Sequence, residues 1–278
     1  MTLSPLVELR LLNATALGLA LAGLCYLLGL FLRTRGVRIA ATAILFMSWI
    51  VCSLSLAARI ARQGGLPFQS KYDVLLWFIW WLLLVYLVAE DRTRVTLPGL
   101  LVAGTCYGLT HGCLLRMDSS LLPLLPLQTT WLFPAHALTL YAAYGLLATA
   151  AAIELSSPLY GRLTRPAQPE LVEHEEQYLE FRSYAYRLVL FAFPILSFAL
   201  LSNALWRSGI RGHYWAWGRE ETWTLVAWLL YACYLHLRTQ LRTSRTAAAV
   251  FNILGAGAIT LTFTGLDWLV RLFRLKVH

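Results

Sequence analysis

The sequence contains little charge, and this scarcity excludes a soluble globular protein. Only 13% of its 278 residues are Asp, Glu, Lys or Arg, whereas soluble domains contain about 25%. Hydrophobic residues make up 59% of the chain and the mean hydropathy is +0.62. This composition predicts an integral membrane protein.

Cysteine motifs are also absent. The five cysteines, Cys25, Cys52, Cys106, Cys113 and Cys233, all lie in apolar runs, and none belongs to a CxxC or CxxCH motif. Disulfides, a thiolate metal site and covalent attachment of c-type haem to this chain are therefore not expected. The first ten residues, MTLSPLVELR, lack the basic segment and the cleavage site of a signal peptide. The sequence shows no hydrolytic or redox catalytic motif and no internal repeat, and no nucleic-acid partner is predicted.

Long apolar runs are the main feature of the sequence. A helix needs about 20 apolar residues to cross the hydrocarbon core, and eight runs approach that length: 11–32, 38–58, 72–89, 96–115, 134–155, 184–206, 222–240 and 246–270. They predict an all-α polytopic membrane protein with about eight transmembrane helices in a single membrane domain, 1–278. The prolines and acidic residues of 156–183 predict a solvated loop that becomes helical near its end.

The charges of the loops do not decide the orientation. Lys and Arg are almost equally frequent on the two sides of the predicted helices, so the positive-inside rule assigns neither side to the cytoplasm. One face is therefore a more basic outer face than the rule predicts. It could hold an anionic ligand or an acidic partner, or it could simply contact lipid headgroups.

The stretch GHYWAWGREETWTLVAWLLYACYLHLR, 212–238, contains four tryptophans, two adjacent glutamates and two histidines. Trp215 and Trp217 precede the seventh run, whereas Trp223 and Trp228 lie within it. An aromatic belt at the membrane interface explains one or two aromatic residues at a helix end. It does not explain the glutamates among them, so we predict a functional Trp-rich loop at 207–222.

This stretch resembles the tryptophan-rich WWD signature of the cytochrome c assembly family, the CcsA, CcmC and CcmF haem-handling proteins. The family pattern is approximately W-x-W-D-x-K-E-x-W, followed by W-L-x-Y and L-H-x-R. Upstream, LPFQSKYDVLLWFIWW is similar to a segment that opens a CcsA transmembrane helix, and PLQTTWLFPAH resembles the segment that carries an external haem-ligand histidine, here His136. The resemblance covers about 66–274 and is strongest to the short CcsA-type and HemX-like members.

The resemblance implies a protein that presents or delivers non-covalent haem b on the outer face of the membrane. It implies His136 and the intramembrane His236 as ligands of haem iron. The other implied haem-binding residues are Trp215, Trp217, Glu221, Trp223, Trp228 and Arg274. The implied setting is the cell inner (cytoplasmic) membrane, with both termini and the Trp-rich loop outside and the loop 156–183 in the cytoplasm. The implied partners are a Ccs1/ResB-like subunit or a larger membrane complex, and apocytochrome c as a possible acceptor.

The chemistry of haem agrees with these residue types. Tryptophan faces offer broad, rigid contact to a flat apolar ring. Arginine forms paired hydrogen bonds with carboxylates such as the propionates, and a neutral imidazole coordinates iron. His236 is roughly 21 Å below the start of its helix at 1.5 Å per residue, so it and His136 cannot bind the same iron.

Three positions depart from the family pattern: Gly218 replaces Asp, Glu220 replaces Lys, and Arg274 stands where the second external histidine is expected. Guanidinium cannot coordinate iron. The haem could therefore be five-coordinate on His136, His111 or His213 could replace the ligand, or Arg274 could pair with a propionate.

These departures leave two other functions open. One is a non-catalytic structural or regulatory subunit of a larger complex with a degenerate haem site. The other is a transporter for a different amphipathic anion, although the sequence lacks the interrupted, repeated helices of secondary transporters.

Overall fold

The computed structural model describes residues 5–32, 34–93, 95–116, 120–121, 130–163, 171–239 and 245–264. These ranges contain eight α-helices and no strand. The helices are α1 (Pro5–Leu32), α2 (Arg35–Gln63), α3 (Lys71–Thr93), α4 (Thr96–Arg116), α5 (Leu132–Leu163), α6 (Leu171–Arg211), α7 (Arg219–Thr239) and α8 (Arg245–Thr264).

Five segments of these helices are long and apolar enough to cross a membrane. They are Pro5–Leu32, Arg35–Gln63, Lys71–Glu90, Leu132–Leu159 and Ser183–Arg211, and a shorter apolar helix covers Ala247–Phe263. The prediction of an all-α polytopic membrane protein is therefore confirmed. Eight full crossings remain a prediction, because α4, α7 and α8 are not among the five segments that are long and apolar enough.

The two predicted loops are shorter in the structure than in the sequence interpretation. Helix α5 continues to Leu163 and α6 already begins at Leu171, so most of 156–183 is helical. The Glu, Gln and Leu residues of this stretch favour a helix over a solvated loop. At the other end, α6 continues to Arg211, and only 212–218 of the predicted Trp-rich loop 207–222 is non-helical. On which side of the membrane each segment lies stays a prediction.

The helices pack in neighbouring groups: α3 joins α1, α2 and α4 to α5, and the pair α7 and α8 contacts α5 and α6. Helix α1 packs mainly against α2 and α4, α5 against α6, and α7 against α8, while α3 contacts α4, α5 and α2. Aromatic side chains fill the centre around α3. Trp77 stacks on Phe68 with ring centroids 5.5 Å apart, and Phe68 is 6.3 Å from Tyr141 of α5. This packing fixes the start of α3 beside the start of α5.

Helix α5 approaches the backbone of α3 at Gly145. A Cβ atom at this position would lie 3.1 Å from the carbonyl carbon and oxygen of Trp81. We expect Gly145→Ala to lower the free energy of unfolding by about 1–3 kcal/mol, because backbone atoms must shift to admit the methyl group. Denaturant titration of the purified protein in detergent micelles measures this loss.

Gly104 of α4 provides the matched control. An added Cβ there meets no described atom within 4 Å. Gly104→Ala should leave stability unchanged or raise it, since alanine is the better helix former. Equal losses at both glycines would show that the close approach at Gly145 is not the cause.

Candidate functional site

A cavity of about 570 Å³ lies where the ends of α3, α5, α6, α7 and α8 meet. Its volume is within the range of about 300–1,000 Å³ that is typical of small-molecule sites. The loop 212–218 connects α6 with α7. Arg211, just before the loop, and Gly218, its last residue, both line the cavity. The cavity therefore lies at the end of the bundle that carries the Trp-rich segment.

His136, in the first turns of α5, lies on the cavity wall. Its Nδ1 is 2.8 Å from the carbonyl oxygen of Ala199 on α6. A carbonyl only accepts, so Nδ1 donates, and in the neutral imidazole Nε2 then keeps its lone pair. Metal-binding histidines commonly have one nitrogen held by such a hydrogen bond, which fixes the tautomer and the ring orientation. His136 is thus prepared to coordinate a metal through Nε2.

Basic side chains outnumber acidic ones on the cavity wall. The lining includes four cations, Lys71, Arg207, Arg211 and Arg219, and two carboxylates, Glu220 and Glu221. The described lining therefore has a formal excess of two positive charges. The N-terminus of α7 also meets the cavity at Gly218 and Arg219, and a helix N-terminus carries partial positive charge. Both features favour an anionic ligand.

Part of the cavity wall is aromatic. Trp206 of α6 lies against Phe133 of α5, with ring centroids 4.8 Å apart. The hydroxyl of Tyr144 is 2.7 Å from Thr224 Oγ1 of α7, so this buried phenol has a partner. A site with aromatic walls, basic groups and one available imidazole suits a flat amphipathic ligand with acidic substituents and a metal centre.

Glu221 connects the Trp-rich loop with this wall. Its Oε2 accepts hydrogen bonds from the backbone N–H groups of Ala216, at 3.0 Å, and Gly218, at 3.4 Å. Its Oε1 is 2.7 Å from Arg207 Nη1. Glu221 is the third residue of α7 and Gly218 precedes the helix, so the carboxylate occupies the acidic position of a capping box.

This arrangement accounts for one departure from the family pattern. An aspartate at 218 could cap α7 with its own side chain, but Gly218 cannot. Glycine is tolerated at an N-cap with a loss of only a few tenths of a kcal/mol relative to aspartate. The reciprocal cap from Glu221 remains, so the helix start is retained.

The four tryptophans of the WWD-like stretch lie outside the described cavity lining. Trp217 is 72% exposed and has a left-handed φ of 56°, and its ring meets that of Trp215 edge-on at 5.9 Å. Trp223 packs against the buried core. Trp228 donates to Ser197 Oγ at 2.8 Å and stacks on Phe193, so it joins α7 to α6. None of the four is among the described residues that line the cavity.

The remaining candidate ligands are dispersed. His236 lies near the end of α7, at the opposite end from the cavity. His111 is exposed on α4 and stacks on Tyr107 with centroids 5.7 Å apart, and His213 is exposed in the loop. These three are not among the described lining residues. Arg274 lies outside the described residues, so its predicted role is not tested.

The sequence interpretation overlooked the basic and aromatic residues of α6. Arg207 and Arg211 are four residues apart, which places them on one side of a helix, and Trp206 adjoins them. The segment ALWRSGIRGHYW therefore contained a usable signal: paired arginines beside tryptophan, directly before the WWD-like stretch. Its arginines were interpreted only as part of the charge distribution across the membrane and of the predicted loop 207–222.

Comparison with known proteins identifies the family of this chain. The sequence profile of the family described as "Cytochrome C assembly protein" matches residues 11–273. The chain belongs to this family. It is 25% identical to the cytochrome c biogenesis protein CcsA of Guillardia theta over 92% of both chains, and 24% identical to that of Pyropia yezoensis over 95% of both.

A solved structure gives the same result for the fold. The protein is similar to a cytochrome c haem lyase CcmF with a TM-score of 0.71 and 17% identity. The match covers 93% of this chain and 46% of the CcmF chain. At this identity the likeness establishes a shared fold, and the resemblance inferred from the WWD-like stretch is confirmed.

Proposed function

We propose that this membrane protein handles haem in cytochrome c assembly and presents haem b, bound non-covalently, in the cavity beside His136. The CcsA relatives are named as cytochrome c biogenesis proteins and CcmF as a haem lyase, which supports this function over a purely structural or regulatory subunit. Haem is the cargo in this proposal. His136 Nε2 provides an axial ligand, and the basic side chains of the wall receive the propionates.

The observation that carries the proposal is the position of His136. Its Nδ1 is committed to the Ala199 carbonyl, and the ring stands on the wall of a cavity whose described lining has an excess of two positive charges. Within the described residues no group of three or more His, Cys, Asp or Glu converges to hold a bare metal ion. A lone imidazole is sufficient for haem, because the porphyrin supplies its own nitrogen ligands to the iron.

In this proposal, the second external ligand of the haem iron comes from another protein. A Ccs1/ResB-like subunit, or another member of a larger complex in the inner membrane, contributes it, and apocytochrome c accepts the haem on the outer face. Trp215 and Trp217 contact the haem or the acceptor at the cavity mouth, since their loop ends beside it. His236, at the other end of α7, belongs to the path by which haem reaches the cavity, with Trp223 and Trp228 supporting that helix and Arg274 pairing with a propionate.

Variants of two tryptophans test whether haem binds in the cavity or on the exposed loop. We expect Trp206→Ala to weaken haem binding roughly two- to tenfold, since aromatic contacts contribute about 0.5–1.5 kcal/mol beyond buried area. Trp217→Ala should weaken it less, because Trp217 is 72% exposed. Haem titration of the purified protein, followed by its Soret absorption, measures both affinities.

The ranking of the two variants decides where haem binds. A larger loss for Trp217→Ala would place the haem on the loop instead of in the cavity. Absence of any Soret band in the wild-type protein, with a candidate partner subunit present, would overturn the proposed function and favour the structural subunit.

A further inference from the structure

Glu221 connects the backbone of the loop 212–218 with Arg207 on the cavity wall. No other described hydrogen bond or ion pair makes this connection. One of the Glu221 carboxylate oxygens receives the backbone N–H groups of Ala216 and Gly218, and the other is paired with Arg207. The Glu221 side chain is 5% exposed and that of Arg207 is 15% exposed. In such a sheltered environment charge-assisted hydrogen bonds are stronger than on an open surface.

Arg207 is not saturated by the protein. Its Nη1 is paired with Glu221, but its Nε is buried and has no hydrogen-bond partner among the described residues. Buried donors are rarely left without a partner, and an unpaired one is unfavourable. The Nε atom itself is enclosed, but Arg207 lines the cavity and its side chain is 15% exposed, so a carboxylate brought in by a ligand can approach this side chain.

We infer that Glu221 is a positioning residue that links occupancy of the cavity to the order of the Trp-rich loop. A ligand carboxylate fixes Arg207, Arg207 fixes Glu221, and Glu221 fixes the loop backbone at Ala216 and Gly218. Because coupling between two sites is reciprocal, an ordered loop also holds the ligand more tightly. The inference rests on the proposed function for the identity of the ligand, a haem with two propionates.

The loop has the features of an element that such a link can control. Trp217 adopts a left-handed backbone conformation, with φ of 56°, that is unfavourable for a bulky residue. Local strain of this kind persists only where surrounding contacts enforce it. The two backbone hydrogen bonds to Glu221 lie on either side of Trp217 and provide that enforcement.

The experiment compares amide hydrogen exchange across 212–222 with and without ligand in the full-length protein. Ferric haem and its dimethyl ester are matched probes, since the ester keeps the ring and iron but has no free carboxylate. In the wild type, haem should slow exchange of this segment about tenfold, the effect of one charge-assisted hydrogen bond. The ester should slow it much less.

Glu221→Gln keeps an oxygen acceptor for the loop but removes the charge that pairs with Arg207. We expect this variant to lose the slowing by haem and to release haem about tenfold faster. Glu220→Gln is the matched control, because it removes the same charge one residue earlier, from an exposed cavity-lining side chain without a described bond to the loop. It should keep the slowing and bind haem more tightly.

Three results would overturn the inference: retained slowing in Glu221→Gln, equal slowing by haem and its ester, or faster exchange when haem binds. Arg207→Lys gives a second readout if Glu221→Gln does not fold, since lysine keeps the charge but lacks the planar fork and should also lose the slowing. If wild type binds no haem, the proposed function fails by itself. The positioning role is then decided without ligand: Glu221→Gln must speed exchange of 212–218, and Glu220→Gln must not.

Discussion

Replacement of His136 by alanine is expected to lower haem affinity at least about 100-fold. Loss of a hydrogen bond that merely orients a metal-binding histidine costs 10–100-fold in metal affinity, so loss of the imidazole itself should cost more. The basic and aromatic wall remains in this variant, and weak haem binding should persist without the axial bond. Titration followed by the Soret band gives the affinity, and the position of the band reports the iron ligation.

Two histidines away from the cavity serve as controls for this variant. His111→Ala and His236→Ala should leave the equilibrium affinity of the cavity unchanged, because neither is among its described lining residues. Added imidazole should restore the spectrum of His136→Ala by occupying the space of the lost ring. Normal haem ligation in His136→Ala without added imidazole would contradict the assignment of His136 as ligand.

The sequence was sufficient to predict the helical membrane fold, because apolar runs of bilayer length have few other interpretations. It predicted the ends of the helices less well. Segments such as 171–183 are polar enough to resemble a solvated loop, yet they continue a membrane helix outside its apolar part. Hydropathy reports burial in lipid, whereas helix length beyond the lipid depends on backbone propensity and on packing.

Two residues of the described cavity lining were among those singled out from the sequence as haem-binding residues. His136 and Glu221 were identified through the resemblance of their segments to a family pattern, and both line the cavity. The contact of Arg207 with Glu221 was missed because it depends on the packing of α6 against the start of α7, which no local pattern contains. The stack of Trp228 on Phe193 of α6 was missed for the same reason, since it can be seen only in the packed structure.

A second polar cluster, centred on Arg59, lies beside the start of α3, which forms part of the cavity wall. Arg59 of α2 is fully buried, and its guanidinium contacts Asp73 of α3 at 2.9 Å, Glu8 of α1 at 3.3 Å and the carbonyl of Ser120 at 3.2 Å. It also lies over the ring of Tyr72, 4.8 Å from the centroid. One side chain thus joins three helices, and its charge is matched by carboxylates on two of them.

Asp73 connects the Arg59 cluster with the cavity wall. Its Oδ2 accepts hydrogen bonds from the backbone N–H groups of Gln69, at 3.2 Å, and Ser70, at 2.9 Å, and its own N–H donates to Ser70 Oγ. These contacts cap the start of α3. Gln69, Ser70 and Lys71 line the cavity, so the cluster around Arg59 determines where that part of the wall lies.

Arg59→Met is expected to lower the free energy of unfolding by about 3–5 kcal/mol, because removal of one partner leaves buried carboxylate charge without compensation. Haem affinity should fall as well, since the start of α3 loses its support. Denaturant titration in detergent micelles measures the first effect and haem titration the second. Arg10→Met, at an exposed position of α1, is the control and should change stability by no more than about 0.5 kcal/mol.

A double variant separates loss of charge compensation from loss of side-chain packing. Asp73→Asn removes the charge that Arg59→Met leaves unpaired, but it keeps an oxygen that can accept from Gln69 and Ser70. Glu8 retains its ion pair with Arg62 in both cases. We therefore expect Arg59→Met/Asp73→Asn to be more stable than Arg59→Met alone, which is a favourable coupling energy in a double-mutant cycle. If the two losses simply add, Arg59 stabilises the helices by packing, and its charge does not hold the wall of the cavity in place.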